Sequence, residues 1–146
     1  VLEPAASARA PLALPAVSGV NGGSLAELLT GANELRKRGD VRGAEASLRR
    51  ALSEHPSEPQ TALVAFTLGK LLLDSAGRPA DAALAFERCL SAGPPSALAE
   101  DALFRLAQAQ GQAGNAAGAS ASARRYQSLY PNGRHAGDVE RWVSAP

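Results

Sequence analysis

Gly39-Asp40-Val41-Arg42-Gly43-Ala44 is a short stretch that this chain writes three times, returning as Gly77-Arg78-Pro79-Ala80-Asp81-Ala82 and as Gly114-Asn115-Ala116-Ala117-Gly118-Ala119. The leading glycines and closing alanines each recur at spacings of 38 and then 37. Pro56, Pro94 and Pro131 keep those two spacings, and the small residues Ala32, Gly69 and Ala107 recur at 37 and then 38. Four markers in register across three copies define an internal repeat, and a period of this length means a stacked array of one small unit.

Each marker has a mechanical role. The three glycines sit where an apolar-periodic stretch ends and suit the left-handed conformation that closes a helix. Asp40 and Asn115 follow as N-caps of the next helix, and Pro79 fits a first turn. The small residue of each first helix and the alanine early in each second helix face one another, so two backbones can cross closely. The prolines end the second helices. Apolar spacing is helical throughout: Leu28, Leu29, Ala32 and Leu35, then Ala44, Leu48, Ala51 and Leu52, with Ala82, Phe86, Cys89 and Leu90 in the second copy and Ala119, Ala123 and Tyr126 in the third. Ser24 with Glu27 and Ser57 with Gln60 read as capping boxes. The expected helices cover about 24–38, 41–54, 58–76, 79–92, 97–113 and 115–129, and a seventh covers 134–144.

Composition agrees with that reading. The chain has 146 residues, 45% of them hydrophobic, and Gly 14 with Pro 10 is too little for low complexity. Ala (32) and Leu (20) dominate, Ile is absent and only six residues are aromatic, which excludes most all-β folds. Fifteen basic against fourteen acidic side chains leave +1, with no strong field for nucleic acid or anionic lipid. The chain starts at Val1 and contains no Met, as expected of a fragment or processed product. Residues 1–23 form a Pro/Ala-rich arm whose prolines bracket Leu12-Ala13-Leu14, so it is neither a signal-peptide core nor a membrane span. The arm reads as a linker. If ordered, its Leu12, Leu14, Val17 and Val20 need a surface, the chain's own or a second copy's.

The order of small residue, glycine turn, alanine, large apolar residue, alanine-like residue and proline resembles the tetratricopeptide repeat. The resemblance covers residues 24 to about 144, with repeats at about 24–57, 58–95 and 96–133 and a capping helix at 134–144. It implies an all-α, right-handed α-solenoid of three helix hairpins plus that capping helix. The period exceeds the usual 34 residues by three or four. Such lengthened copies, with phrases such as Tyr130-Pro131-Asn132-Gly133-Arg134-His135-Ala136, look like bacterial cell-envelope versions: those of the outer-membrane assembly lipoprotein BamD, the TolA-binding protein CpoB, and tails behind FecR-type regulatory domains. Thirteen Arg against two Lys suits a GC-rich genome. A periplasmic or envelope setting is implied by the resemblance alone.

Carriers of catalysis do not stand out. Cys89 replaces the Ala51-type residue on a buried face and reads as a small hydrophobe; a single cysteine excludes an internal disulfide. His55 and His135 lie far apart without ligand-spaced partners, so no metal or cofactor is expected. Arg38-Gly39-Asp40 spells an adhesion tripeptide, but each letter is explained by a basic last turn, a glycine cap and an N-cap. Arg36-Lys37-Arg38 and Arg49-Arg50 read as solvated helix faces rather than a nucleic-acid groove. Gly22-Gly23 lacks the rest of a phosphate loop.

The expectation is therefore a non-catalytic module that binds a protein or peptide, without nucleic acid or membrane insertion. The alternatives are a regulatory C-terminal tail of a larger sensor or enzyme whose active part lies upstream, and a structural spacer or self-assembly element; the arm is the candidate contact for a homo-oligomer. In the family the first helices line the concave face. Leu29, Phe66 and Phe104 occupy equivalent positions there, edged one turn on by Asn33, Lys70 and Gln108, with Arg36 and Lys37 able to steer an acidic flank. The two phenylalanines read equally as inter-repeat core. A clamp for a C-terminal carboxylate is not assigned, because Leu29 stands where its first lysine would.

Overall fold

The computed structural model describes residues 23–143; the arm, its apolar residues and any assembly through it lie outside the described residues, Gly23 apart. Seven helices follow in order: α1 Leu25–Lys37, α2 Val41–Glu54, α3 Thr61–Lys70, α4 Pro79–Ser91, α5 Ser96–Gln112, α6 Ala116–Leu129 and α7 Glu140–Val143. Leu71–Ser75 continues α3 as a π-helical turn. No strand occurs among the described residues. Each of the pairs α1–α2, α3–α4 and α5–α6 packs as a hairpin, and each hairpin packs on the next through α2–α3 and α4–α5. The result is an all-α solenoid of three hairpins.

Most of the local signals act as their chemistry demands. Ser24 and Glu27 form a full capping box at α1. Asp40 Oδ1 accepts from Gly43 N at 2.9 Å, and Asn115 Oδ1 accepts from Gly118 N at the same distance. Gly39, Gly77 and Gly114 take φ values of 82°, 64° and 83°, a region closed to most side chains. Two expectations need correction. The Ser57–Gln60 capping box does not form, and α3 starts at Thr61 rather than 58. Pro59 disfavours the helical conformation at Glu58, and buried Thr61 ties the turn instead: its hydroxyl donates to His55 O at 2.8 Å and accepts from Glu58 N at 2.9 Å. The seventh helix does not span 134–144; turns occupy 131–139 and only Glu140–Val143 is helical. There the Arg134 and His135 amides donate to the Glu100 carboxylate and the Tyr126 hydroxyl rather than to a helical ladder.

The π-turn accounts for the uneven period. Gly69 to Gly77 is one residue longer than Ala32 to Gly39 or Ala107 to Gly114. The closing backbone bond runs from Asp40 N to Leu35 O and from Asn115 N to Gln110 O, but from Arg78 N to Leu72 O, one residue wider. Ala76 N donating to Leu71 O at 3.0 Å is the five-residue bond that absorbs the insertion.

Core volume is shared out along the repeat. The Ala32, Gly69 and Ala107 positions and their partners Ala44, Ala82 and Ala119 are all buried. Leu48, Phe86 and Ala123 occupy one equivalent position, and Ala51, Cys89 and Tyr126 the next. Where Phe86 is largest its neighbour is smallest: a Cβ on Gly69 would lie 2.6 Å from the Phe86 ring. In the third copy the bulk missing at Ala123 returns one turn later as fully buried Tyr126. Val139 is also fully buried, while Trp142 is half-buried and lies over Gly111 of α5 rather than deep in the core.

His55 staples the N-terminal end. Its Nε2 lies 3.1 Å from Gly23 O and its Nδ1 contacts the Glu58 carboxylate. Both partners accept, so only the imidazolium satisfies both. Its pKa is raised above 6.5, first by the Gly23 carbonyl and then by Glu58.

Two predictions follow from this packing. Gly69→Ala should cost about 1–3 kcal/mol by overpacking, read by urea denaturation. Adding Phe86→Leu, which recreates the Ala32–Leu48 pair of the first copy, should recover much of that loss; simple additivity of the two changes would contradict the packing argument. A group whose folded pKa is raised stabilises the fold fully below its unfolded value and loses that contribution as pH rises through its folded value. The His55 NMR titration should therefore have its midpoint above 6.5. The wild-type advantage in melting temperature over His55→Gln should fade as pH rises from about 6.5 through that midpoint.

Candidate functional site

The first helices α1, α3 and α5 leave two depressions that share a wall. One, of about 360 Å³, lies between α1 and α3 and is lined by Asn33, Arg36, Leu63, Phe66, Lys70 and Asp74 among others. The second, of about 290 Å³, lies between α3, α5 and the turn after α6, lined by Phe66, Lys70, Asp101, Phe104, Arg105, Arg134 and His135. Phe66 and Lys70 belong to both. They stand one turn apart on α3, with Lys70 Nζ 5.9 Å from the Phe66 ring centroid.

The eight residues singled out in the sequence divide accordingly. Asn33, Arg36, Phe66 and Lys70 come together, and Phe104 joins them across the second depression. Leu29 is half-buried against the core and lines neither depression. Lys37 pairs with Glu34 at 3.3 Å on the exposed side of α1. Gln108 accepts from Arg105 Nη1 at 3.2 Å and lines a separate depression with Gly111 and Trp142. The apolar row is thus both things at once: Leu29, Phe66 and Phe104 are all half-buried, packed on the core with part of each side chain outside it. Phe66 meets Phe86 edge-on at 5.6 Å. Phe104 is stacked under the His135 ring at 3.9 Å, so one of its faces is already taken.

Sequence reasoning missed the contribution of the segment after α6. Tyr126 OH donates to Glu100 Oε1 at 2.6 Å and accepts from His135 N at 2.8 Å; Arg134 N donates to the same carboxylate oxygen at 2.7 Å. Burial, followed by the Glu100 bond, pushes the Tyr126 phenol up to about 12, and the Tyr126 hydroxyl holds Glu100 below the usual carboxylate range. Arg134 Nη2 and His135 Nε2 then reach Asp101 Oδ1 at 2.8 and 3.3 Å. This network holds the end of the second depression in place. The signal lay in Arg134-His135 of the quoted turn phrase, but nothing in the linear sequence aims that turn at α5. Asp74 and Arg105, which pair at 3.3 Å across α3 and α5, were missed as well. The eight-residue Gly69–Gly77 spacing was the available clue to the π-turn on which Asp74 lies.

The arrangement offers partly exposed aromatic rings with guanidinium and ammonium groups lining the same depressions. Among the described residues no group of three His, Cys, Asp or Glu side chains could hold a metal ion. Cys89 is buried and burial pushes its thiol up to about 11, far from a reactive thiolate. No described helix is long and apolar enough to cross a membrane.

A family model described as tetratricopeptide repeat matches residues 29–97, and a second of the same description matches residues 101–133. The chain belongs to the tetratricopeptide-repeat family. The first match spans hairpins α1–α2 and α3–α4, and the second spans most of α5–α6. A search of the curated proteins returned no match. Tetratricopeptide repeats generally mediate protein–protein interaction and are generally non-catalytic.

Substitution by serine should separate the two phenylalanines of this tetratricopeptide array. Both are half-buried, so each change should cost less than the ~3–5 kcal/mol of a fully buried ring. Phe104→Ser should cost more than Phe66→Ser, since it also removes the surface on which His135 stacks. Urea denaturation of both variants reads this, and an equal or reversed order would contradict it.

Proposed function

We propose that this chain is a non-catalytic interaction module that holds a segment of a partner protein along its first-helix face, at Asn33, Arg36, Phe66, Lys70 and Phe104. The observation that carries the reading is the position of Phe66, a partly exposed ring shared by two adjoining depressions and flanked by Lys70. A continuous seat of this kind suits an extended or helical peptide, with the ring taking an apolar side chain and the cations orienting its flanks. Residues 24–57, 58–95 and 96–133 act as one array in this reading, with the last turn and α7 closing its end. A bacterial envelope setting fits the lengthened repeats and the Tyr130–Ala136 phrase.

A photo-crosslinking residue placed at Phe66 tests the seat. In extract of the native cells it should capture a partner that the same residue does not capture at Leu84, a side chain 64% exposed on the second-helix face. Equal capture at both positions would remove the reading.

A further inference from the structure

The charges in the two depressions do not cancel. Their carboxylates are already engaged: Asp74 by Arg105 at 3.3 Å, and Asp101 by Arg134 at 2.8 Å and His135 at 3.3 Å. Arg36 and Lys70 have no carboxylate partner among the described residues. Both line the first depression, beside Phe66.

The carboxylate nearest to Lys70 along its own helix is committed elsewhere. Asp74 stands four residues after Lys70, a spacing at which opposite charges on a helix can meet, more weakly when the basic residue comes first. The extra residue at Leu71–Ser75 widens the turn, closed by Ala76 N donating to Leu71 O. Asp74 lines the first depression with Lys70 but pairs with Arg105 of α5 at 3.3 Å. That pair ties the two neighbouring repeats together and leaves Lys70 without a carboxylate partner among the described residues.

We propose that Lys70, with Arg36 beside it, reads an acidic side chain within an internal segment of the partner, adjacent to an apolar side chain seated on Phe66. This rests on the peptide-binding reading above and specifies its ligand. Two unpaired cations beside a partly exposed ring match an Asp or Glu next to a Leu, Phe, Tyr or Trp. An all-apolar segment would leave them desolvated without compensation. A basic segment would be repelled.

Selection of random peptides fused through their C-termini to a phage coat, so that no free C-terminal carboxylate is displayed, tests this on the full chain. Enriched sequences should carry Asp or Glu within a few positions of a large apolar residue. A labelled synthetic peptide of that sequence should lose about tenfold or more in affinity on Lys70→Glu and far less on Lys70→Arg. It should also weaken with added NaCl. Replacing its acid by Lys should restore binding to the Lys70→Glu variant. Enriched peptides without acids, or an unchanged affinity on Lys70→Glu, overturn the inference. If such peptides still lose binding on Phe66→Ser, the seat stands and only its charge reading falls. If Phe66→Ser binds them equally, or nothing is enriched, both fall.

Discussion

Each hairpin of this solenoid depends on the approach of two helices at a point where neither carries bulk. Ala32 meets the Ala44 helix, Gly69 the Ala82 helix and Ala107 the Ala119 helix, and all six positions are buried. With backbones this close, the side chain one turn further along the second helix reaches across the first, and its size is coupled to the small residue it passes. Leu48 passes an alanine; Phe86 needs a glycine, since the missing Cβ is where its ring lies. Protein interiors are packed too tightly to absorb the difference. Three copies are therefore three solutions to one volume problem, and the third moves its bulk to Tyr126.

That last solution has consequences beyond packing. A tyrosine buried at this position brings a hydroxyl that must be satisfied. Glu100 of α5 and the His135 amide satisfy it, which fastens the Tyr130–Ala136 turn across the end of the array. Once fastened, the turn lays His135 on Phe104 and Arg134 against Asp101, building one wall of the second depression. A core substitution at the end of the solenoid thus reaches the first-helix face by a chain of hydrogen bonds.

On that face the tertiary pairing of charges matters more than their number. A net charge of +1 says nothing of a preference for acids. Yet the two carboxylates of the depressions are each matched to a cation on another element, and the cations left over lie next to Phe66. Asp74, on the π-turn, pairs with Arg105 of the next repeat and not with Lys70 four residues before it.

The sequence by itself determined the helices, their glycine and proline punctuation, the three-hairpin order and the buried small residues, because these follow from short-range periodicity and backbone stereochemistry. It also placed Asn33, Arg36, Phe66 and Lys70 on one face, since equivalent positions in a regular repeat point the same way. It failed where regularity fails. Pro59 displaced the start of α3, the extra residue widened its end, and hydrogen bonds to Glu100 and Tyr126 replaced most of the helix expected over 134–144. Only the tertiary structure decided which cations have no carboxylate partner among the described residues, that Phe104 is half covered, and that Leu29, Lys37 and Gln108 line neither of the two depressions that share Phe66. Those outcomes depend on contacts between residues some thirty positions apart, such as Asp74 with Arg105 and Asp101 with Arg134, and the spacing of residues along a chain carries no measure of them.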